Sequence, residues 1–297
     1  MSAGDGPYRK ANLVLAQGPR TVPFALKARL YNFNVMSIVG WSLISFGMIF
    51  VWVFAMQSDI ASLWQWNGPL EHAPARVVSS RATSNKINNS YVYEFTYVFT
   101  GPDGAEHGGR SYKTGGYYDS RNVEAEFPSG NPGRSRLRGM RTSVWGPWGS
   151  LLGLIPIVGV FFVSFGLLRG RRAVTLLSRG KVALGKLVRR APTNVRVNGQ
   201  RVMRLTFLFK SDDGRSWEAE ARTHQTHLLM DDAEEQLLYH PVDPRYSTLM
   251  DHLPGGPRVG ADGQLEMQGG NAGGMLAAAL PLLALVPHAI VYFALFA

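Results

Sequence analysis

The stretch NVMSIVGWSLISFGMIFVWVFAM, residues 34–56, is the strongest structural signal in this chain. No charged side chain occurs between Arg29 and Asp59, and an α-helix over this run is long enough to cross about 30 Å of hydrocarbon. We therefore predict a first transmembrane helix over residues 34–57, preceded by a basic tail over residues 1–33. This helix begins too far from the first residue for an ordinary cleaved signal peptide, so we interpret it as an uncleaved anchor.

A second uncharged run, TSVWGPWGSLLGLIPIVGVFFVSFGLL, covers residues 142–168 between Arg141 and Arg169. Its residues Trp145 and Trp148 have amphipathic rings that suit the boundary between lipid and water. The run predicts a second transmembrane helix.

A third apolar run covers residues 274–297, where Pro281 and Pro287 predict kinks rather than a break. His288 lies in this run, and none of the three runs contains an acidic residue, which favours an interfacial or helix-contact role over proton transfer. We predict a third transmembrane helix here.

The distribution of Lys and Arg near the ends of the spans indicates the orientation. One side of the membrane collects eight basic residues and the other side four. The eight are Arg20, Lys27, Arg29, Arg169, Arg171, Arg172, Arg179 and Lys181, and the four are Arg134, Arg136, Arg138 and Arg141. We predict an inner-membrane, multi-pass protein with a cytoplasmic N-terminus, the first polar region outside and the second inside.

The two polar regions, residues 71–140 and 173–254, both carry the alternation that is typical of β-strands. In the first, aromatic residues occupy every second position of YVYEFTYVFTGPDG from Tyr91, and an Asp103-Gly104 pair follows. In the second, RVMRLTFLFKSDDG closes with Asp213-Gly214. Such pairs are typical of hairpin turns. A Gly-rich linker over residues 255–273 separates the second region from the third span.

The two polar regions align with each other. Placing Tyr91 on Arg201 also places Phe99 on Phe209 and superposes both Asp-Gly pairs. With a slightly larger offset, NPGRSRL at 131–137 matches DPRYSTL at 243–249. This pattern predicts one unit of about five strands used twice, with entry strands near residues 76–81 and 181–189.

A small antiparallel β-barrel or sandwich would bury the aromatic side chains of each unit. The predicted fold class is therefore an integral membrane α-helical protein with two related, small all-β domains.

The strand, Asp-Gly turn, polar strand and Asn/Asp-Pro turn, placed between apolar helices, resemble the bacterial membrane family called domain of unknown function 3592. The matching segments are Tyr91–Gly104, Gly109–Thr114 and Val123–Leu137, then Arg201–Gly214, Trp217–Arg222 and Gln236–Leu249. The resemblance implies a β-domain anchored between helices. It implies no activity and no catalytic residues.

One candidate metal site is the pair His224 and His227, close to the acidic residues of DDAEE at 231–235. The spacing puts both imidazoles on one face only if the segment is helical. A solvated polar loop is the simpler interpretation, and we predict no bound metal and no cofactor.

The small residues Gly146, Gly149, Ser150 and Gly153 have the spacing that lets helix backbones approach closely in lipid, within the chain or between chains. The basic residues Arg169, Arg171 and Arg172 directly follow the second span and suit anionic lipid headgroups. These two groups are the predicted helix-packing and lipid-headgroup sites.

Several functional classes receive no support from the sequence. The chain has no cysteine, which excludes disulfides, iron–sulfur clusters and thiolate zinc sites. The net charge of +10 comes from basic residues interleaved with acidic ones, so we predict no nucleic-acid partner. In GAEHGGRSYKTGG, Tyr112 precedes Lys113, so the Gly-Lys-Thr order of a P-loop is missing.

We predict no enzyme and favour an interaction or scaffold module at the bacterial cell envelope, with the lipid bilayer, another membrane protein or a second copy as partners. A ligand-sensing or signalling protein, with Tyr117 and Tyr118 near its ligand, is the alternative. A metal-dependent hydrolase that uses His224 and His227 is a more remote one.

Overall fold

The computed structural model describes residues 15–16, 18–115, 123–229, 233–253, 256–260, 262–267 and 272–296, without the side chains of residues 227 and 228. Its α-helices are α1 (Phe24–Asn32), α2 (Val35–Val53), α3 (Ser62–Gln65), α4 (Leu154–Arg179) and α5 (Ala272–Phe296). Short 3-10 helices cover Ala55–Gln57, Pro147–Gly153, Thr226–Leu229 and Met250–His252. The chain forms two compact units, one of residues 43–158 and one of residues 1–42 with 159–297.

Among the described residues, three helical segments are long and apolar enough to cross a bilayer. They are Val35–Gln57, Pro147–Arg179 and Ala272–Phe296, with mean hydropathies of 2.1, 2.5 and 2.1. The second segment starts with the 3-10 turn at Pro147, whose ring fixes φ near the helical value. Helix α5 continues through Pro281 and Pro287.

The first unit contains an antiparallel sheet in the order β3-β2-β1-β4-β5. Its strands are β1 (Leu70–Ile87), β2 (Ser90–Thr100), β3 (Glu106–Thr114), β4 (Val123–Pro128) and β5 (Arg136–Leu137). The alternating aromatic residues of β2 fill the core, where Tyr97 and Phe99 pack with Phe127 and Leu137. Strand β1 is much longer than the predicted entry strand because its polar second half continues to pair with β2.

The second unit contains an antiparallel sheet in the order β10-β9-β6-β7-β8. Its strands are β6 (Lys181–Val197), β7 (Gln200–Lys210), β8 (Ser216–Thr223), β9 (Glu235–Tyr239) and β10 (Ser247–Leu249). Leu205, Phe207 and Phe209 of β7 pack with Leu237 and Tyr239 in its core.

The predicted closed β-barrel or two-sheet sandwich is wrong, because each domain is a single open five-stranded sheet. The long first strand explains this difference: β1 pairs with β4 over residues 70–75 and with β2 over residues 75–87. A strand shared in this way joins all five strands into one sheet, and one face of this sheet buries the aromatic core. Four residues after β5, Arg141 exchanges backbone hydrogen bonds of 2.8 and 3.0 Å with Tyr112 of the opposite edge strand β3, which is a single bridge rather than a ladder.

The two sheets have the same strand order, and their irregularities occur at aligned positions of the repeat. The long first strands have register shifts between Val77 and Ser79 and between Ala82 and Lys86, and then between Leu187 and Arg189 and between Pro192 and Arg196. The following two-residue turns, Asn88-Asn89 and Asn198-Gly199, have positive φ at both positions. Such turns match the right-handed twist of a hairpin.

The structure also adds elements where the sequence predicts a tail, a linker and a β-domain. Helix α1 lies within the predicted basic tail. A hairpin of β11 (Pro257–Val259) and β12 (Leu265–Met267) lies within the predicted Gly-rich linker. Helix α4 continues to Arg179, so the start of the predicted region 173–254 is helical.

Candidate site beside the end of helix α4

Helix α4 continues beyond its uncharged run, and its last turns pack into an apolar core. Leu176 and Leu177 of α4 pack with Leu26 and Leu30 of α1 and with Leu238, on the outer face of β9. Helix α1 also packs against α5, where a methyl group added to Gly274 would overlap the side chain of Ala25. These packing contacts connect the C-terminal end of α4 with α1, α5 and the second sheet.

Arg20 caps the C-terminal end of α4. Its side chain is 6% exposed, and its Nε donates to the carbonyl oxygen of Leu177 at 2.8 Å, while its Nη2 donates to that of Gly180. The Arg20 backbone N–H donates to the carbonyl oxygen of Ser178 at 2.8 Å. A cation at this position satisfies terminal carbonyls and complements the helix dipole. Burial lowers the pKa of the Arg20 guanidinium from its ordinary value.

A groove of about 330 Å³ lies between α4 and the turn that follows β9, and we call it the α4 groove. It is lined by Leu168, Arg171, Arg172, Thr175, His240, Asp243 and Tyr246. The four α4 residues lie on one face of the helix, because Arg171 and Arg172 are three and four residues from Leu168 and four and three residues from Thr175. The other three residues belong to the HPVDPRY segment, part of which aligns with the first domain in the internal repeat.

Hydrogen bonds within this turn orient its polar side chains. The backbone N–H groups of Val242 and Asp243 donate to Nδ1 of His240 at 3.3 and 3.4 Å. A neutral imidazole that accepts at Nδ1 carries its proton at Nε2, which can then act as a donor. The Asp243 Oδ1 atom accepts from the Arg245 N–H at 3.3 Å, as is common in Asp-Pro turns.

The Arg172 guanidinium lies 5.4 Å from the centroid of the Tyr246 ring, a cation–π contact. Burial raises the pKa of the Tyr246 phenol, and Arg172 opposes this rise. The α4 groove thus brings two guanidinium groups and one imidazole to a surface that contains one carboxylate. This arrangement is suited to an anion with several oxygen atoms.

The predicted lipid-headgroup residues therefore divide into two groups. Arg171 and Arg172 line the α4 groove, whereas Arg169 is not among its lining residues. The groove residues His240, Asp243 and Tyr246 were not predicted from the sequence. They lie far from the arginines along the chain, and no sequence signal places them beside α4.

The predicted metal residues do not form a described site. His224 shortly precedes the 3-10 helix Thr226–Leu229, and the side chain of His227 and residues 230–232 lie outside the described part of the chain. Among the residues that the structure describes, no three His, Cys, Asp or Glu side chains come together as metal ligands. Tyr117 and Tyr118, named for the ligand-sensing alternative, also lie outside the described residues.

Of the predicted helix-packing residues, Gly149 and Gly153 lie in the 3-10 helix at the start of the second apolar segment, and Gly146 directly precedes this helix. A methyl group added at Gly149 would overlap Oγ of Ser58, but Gly146 and Gly153 have nothing within 4 Å of such a group. Ser150 lies in the same turn.

The close contacts between α2 and α4 occur at other glycines. A methyl group added at Gly40 would lie 2.6 Å from the Val163 backbone nitrogen, and one at Gly166 would overlap Oγ of Ser37. A methyl group added at Gly47 would be similarly close to α4, and one added at Gly170 would be similarly close to α1. Gly166 and Gly170 have the G-x-x-x-G spacing, so the signal that could have found them was in the sequence.

The first sheet carries a polar cluster that was not predicted from the sequence. The buried Glu94 carboxylate accepts from Nε of Arg81 at 3.0 Å and from the Tyr112 hydroxyl at 2.9 Å. Burial alone would raise the pKa of Glu94, but these two hydrogen bonds and the nearby charges of Arg81 and Arg110 lower it overall. The carboxylate is therefore held in its ionised form.

Comparison with known proteins gives no relative: no family model, no curated protein and no solved structure matches this chain. The resemblance to the domain of unknown function 3592 stays a prediction.

Proposed function

We propose that this chain is a membrane-anchored interaction module of the bacterial cell envelope, whose second sheet binds a second copy of the chain. In this proposal α2, α4 and α5 cross the inner membrane, with the N-terminus and the second sheet in the cytoplasm and the first sheet outside. The three long apolar helices support the membrane anchor. The shared strand order and matched bulges support an internal duplication of one β-module, as the proposed membership of the domain of unknown function 3592 would imply.

The main support for this contact between copies is an exposed apolar surface on the second sheet. Val182 and Leu184 of β6 and Leu208 of β7 are 39%, 55% and 40% exposed, and we call these three residues the β6 face. Their strand neighbours Ala183 and Phe207 point to the opposite side, where they join the core. Apolar side chains grouped on the outer face of a sheet are typical of an interaction site.

The first sheet differs from the second at the aligned positions of its long first strand. His72 and Pro74 stand where the second sheet has Val182 and Leu184. Val182 and Leu184 are therefore specific to the second domain, whereas Leu208 has an apolar counterpart, Val98, in the first.

A second copy fits this surface because the bilayer aligns two copies of one membrane protein. Stable interfaces in solution bury roughly 1,200–2,000 Å² in total, and three partly exposed side chains supply only a small part of this area. Two anchored copies present the same face at the same height, and a two-fold axis along the membrane normal brings the faces together. Confinement to the bilayer also raises the effective concentration, so a small contact is sufficient.

The test uses the absence of native cysteine. Leu184→Cys in the full chain, in native membranes under mild oxidation, is expected to form a disulfide-linked dimer. Gln200→Cys, at the exposed start of β7 in the same sheet, serves as the matched control and is expected to stay monomeric. Adding Leu208→Ser to Leu184→Cys is expected to reduce the dimer several-fold.

The outcome distinguishes the possible occupants of the β6 face. Equal cross-linking of both cysteine variants, or none from Leu184→Cys, would show that the two copies do not meet there. If Leu184→Cys formed adducts only with other proteins, the partner on the β6 face would be a different protein rather than a second copy.

A further inference from the structure

We propose that the α4 groove binds the phosphate group of an anionic phospholipid in the leaflet next to the second sheet. This inference rests on the proposed membrane crossing of α4 but not on the contact between copies. The uncharged run of α4 ends at Leu168, which is also the apolar wall of the groove. Arg171 and Arg172 follow about 5 Å further along the helix axis, which is the depth of the headgroups relative to the edge of the hydrocarbon.

The charged groups of the groove suit a phosphodiester. A guanidinium fork matches two phosphate oxygens, and Arg171 and Arg172 both line the groove from adjacent positions of one helix. The cation–π contact with Tyr246 restrains Arg172. The Nε2 atom of His240 supplies a further donor, because Nδ1 is occupied by the backbone of the turn.

Asp243 opposes anion binding, since its carboxylate also lines the groove. One of its oxygens already accepts from the Arg245 N–H. Because the groove has two arginines and one carboxylate, its net charge is positive. The size of the opposing effect is itself testable, because asparagine would keep the hydrogen bond and remove the charge.

The turn that forms one side of the groove also favours a lipid over a soluble phosphate. Val242, at the tip of this turn, is 86% exposed, which is unfavourable for an apolar side chain in water. Beside a groove that starts at the end of a membrane span, this side chain can enter the boundary between headgroups and acyl chains. An acyl chain of the bound lipid would then lie along Leu168.

The experiment measures lipids retained by the purified full chain in a neutral detergent, by native mass spectrometry, during titration with phosphatidylglycerol or phosphatidylcholine. The wild-type chain is expected to retain phosphatidylglycerol preferentially. Arg171→Gln with Arg172→Gln should weaken this retention by about tenfold or more. The matched control is Arg169→Gln with Arg179→Gln, which removes the same charge from the same helix outside the groove and should weaken retention clearly less than the groove variant does. Asp243→Asn should strengthen retention.

Each alternative has its own result. Equal loss in the two double variants would show a diffuse basic surface and would overturn the site. Displacement of phosphatidylglycerol by millimolar inorganic phosphate would show a soluble ligand and would overturn the lipid assignment. If every variant floated with vesicles and retained lipid as the wild type does, the groove would not be the lipid site, although the helices would still anchor the chain in the membrane. Failure of the wild-type chain to float would overturn the anchor instead.

Discussion

Gly40 sets how closely α2 approaches α4, because a side chain at this position would meet backbone atoms that cannot move away. An added methyl group would lie 2.6 Å from the Val163 nitrogen and 2.8 Å from the Gly159 oxygen. Alanine in place of glycine ordinarily favours a helix by roughly 0.5–1 kcal/mol. Overpacking costs about 1–3 kcal/mol, so the steric effect dominates.

We therefore expect Gly40→Ala to lower the free energy of unfolding by about 1–2 kcal/mol, measured by denaturant unfolding in detergent. Gly153→Ala is the control, since nothing lies within 4 Å of its added methyl group, and it should be neutral or slightly stabilising. A Gly40→Ala chain as stable as the wild type would contradict the close helix contact.

Glu94 gives the first sheet a pH-dependent contribution whose sign follows from its lowered pKa. A carboxyl with a folded-state pKa below its unfolded value of about 4.3 stabilises the fold above that value. This stabilisation is lost as the pH falls through the folded-state pKa.

Glu94→Gln should accordingly lower the free energy of unfolding by about 1 kcal/mol at neutral pH, and the difference from the wild type should shrink below about pH 4. The control is Glu124→Gln, whose partner Arg138 is exposed, and it should change stability little at any pH. A difference between wild type and Glu94→Gln that grows on acidification would refute the role given to the Arg81 and Tyr112 hydrogen bonds.

At the scale of elements, Arg20 connects the N-terminal segment to the end of α4. Its buried guanidinium donates to carbonyl oxygens at the helix end, where intrahelical partners run out. Loss of this side chain leaves those carbonyls unsatisfied, at a cost of about 1–3 kcal/mol. Lysine would keep the charge but not the planar fork.

We expect Arg20→Met to speed hydrogen exchange in the last turn of α4, near Arg179, and Arg20→Lys to give an intermediate rate. Exchange within the first sheet, a separate compact unit, serves as the internal control and should not change. Unaltered exchange at the end of α4 in both variants would mean that Arg20 does not cap it.

The elements also show which features the sequence could predict. Strand β2 and its Asp-Gly turn follow directly from alternating aromatic residues and turn chemistry, both of which are local. The prediction placed the entry strand near residues 76–81 and missed its continuation, because residues from Ala82 to Lys86 are largely polar and their pairing with β2 comes from tertiary structure. Helix α1 was missed because its apolar face is short and is buried largely by residues distant in the sequence, among them Leu176 and Leu177.

The candidate site was predicted only in part, for a similar reason. The basic residues after the second span are visible in the sequence, so Arg171 and Arg172 were named. The turn at His240 lies beside them through the packing of the second sheet against α4, which no local pattern encodes. Likewise, the spacing of small residues indicates that helices pack closely, but the choice of Gly40 and Gly166 over Gly146 and Gly153 depends on how the partner helix is rotated.

For the molecule as a whole, the proposed topology puts the two similar sheets on opposite sides of a membrane. Two equivalent surface positions, one in each sheet, can report on this topology. Ser90 and Gln200 are exposed and occupy equivalent positions of the repeat, at the start of β2 and β7. Because there is no native cysteine, a single cysteine at either position reports on one sheet only.

The most direct test labels Ser90→Cys and Gln200→Cys chains in intact bacterial cells with an outer-membrane-permeant, inner-membrane-impermeant maleimide, before and after lysis. We predict that Ser90→Cys reacts in intact cells, whereas Gln200→Cys reacts only after lysis. Reaction of both cysteines in intact cells, or protection of both until lysis, would contradict the claim that the helices place the two sheets on opposite sides.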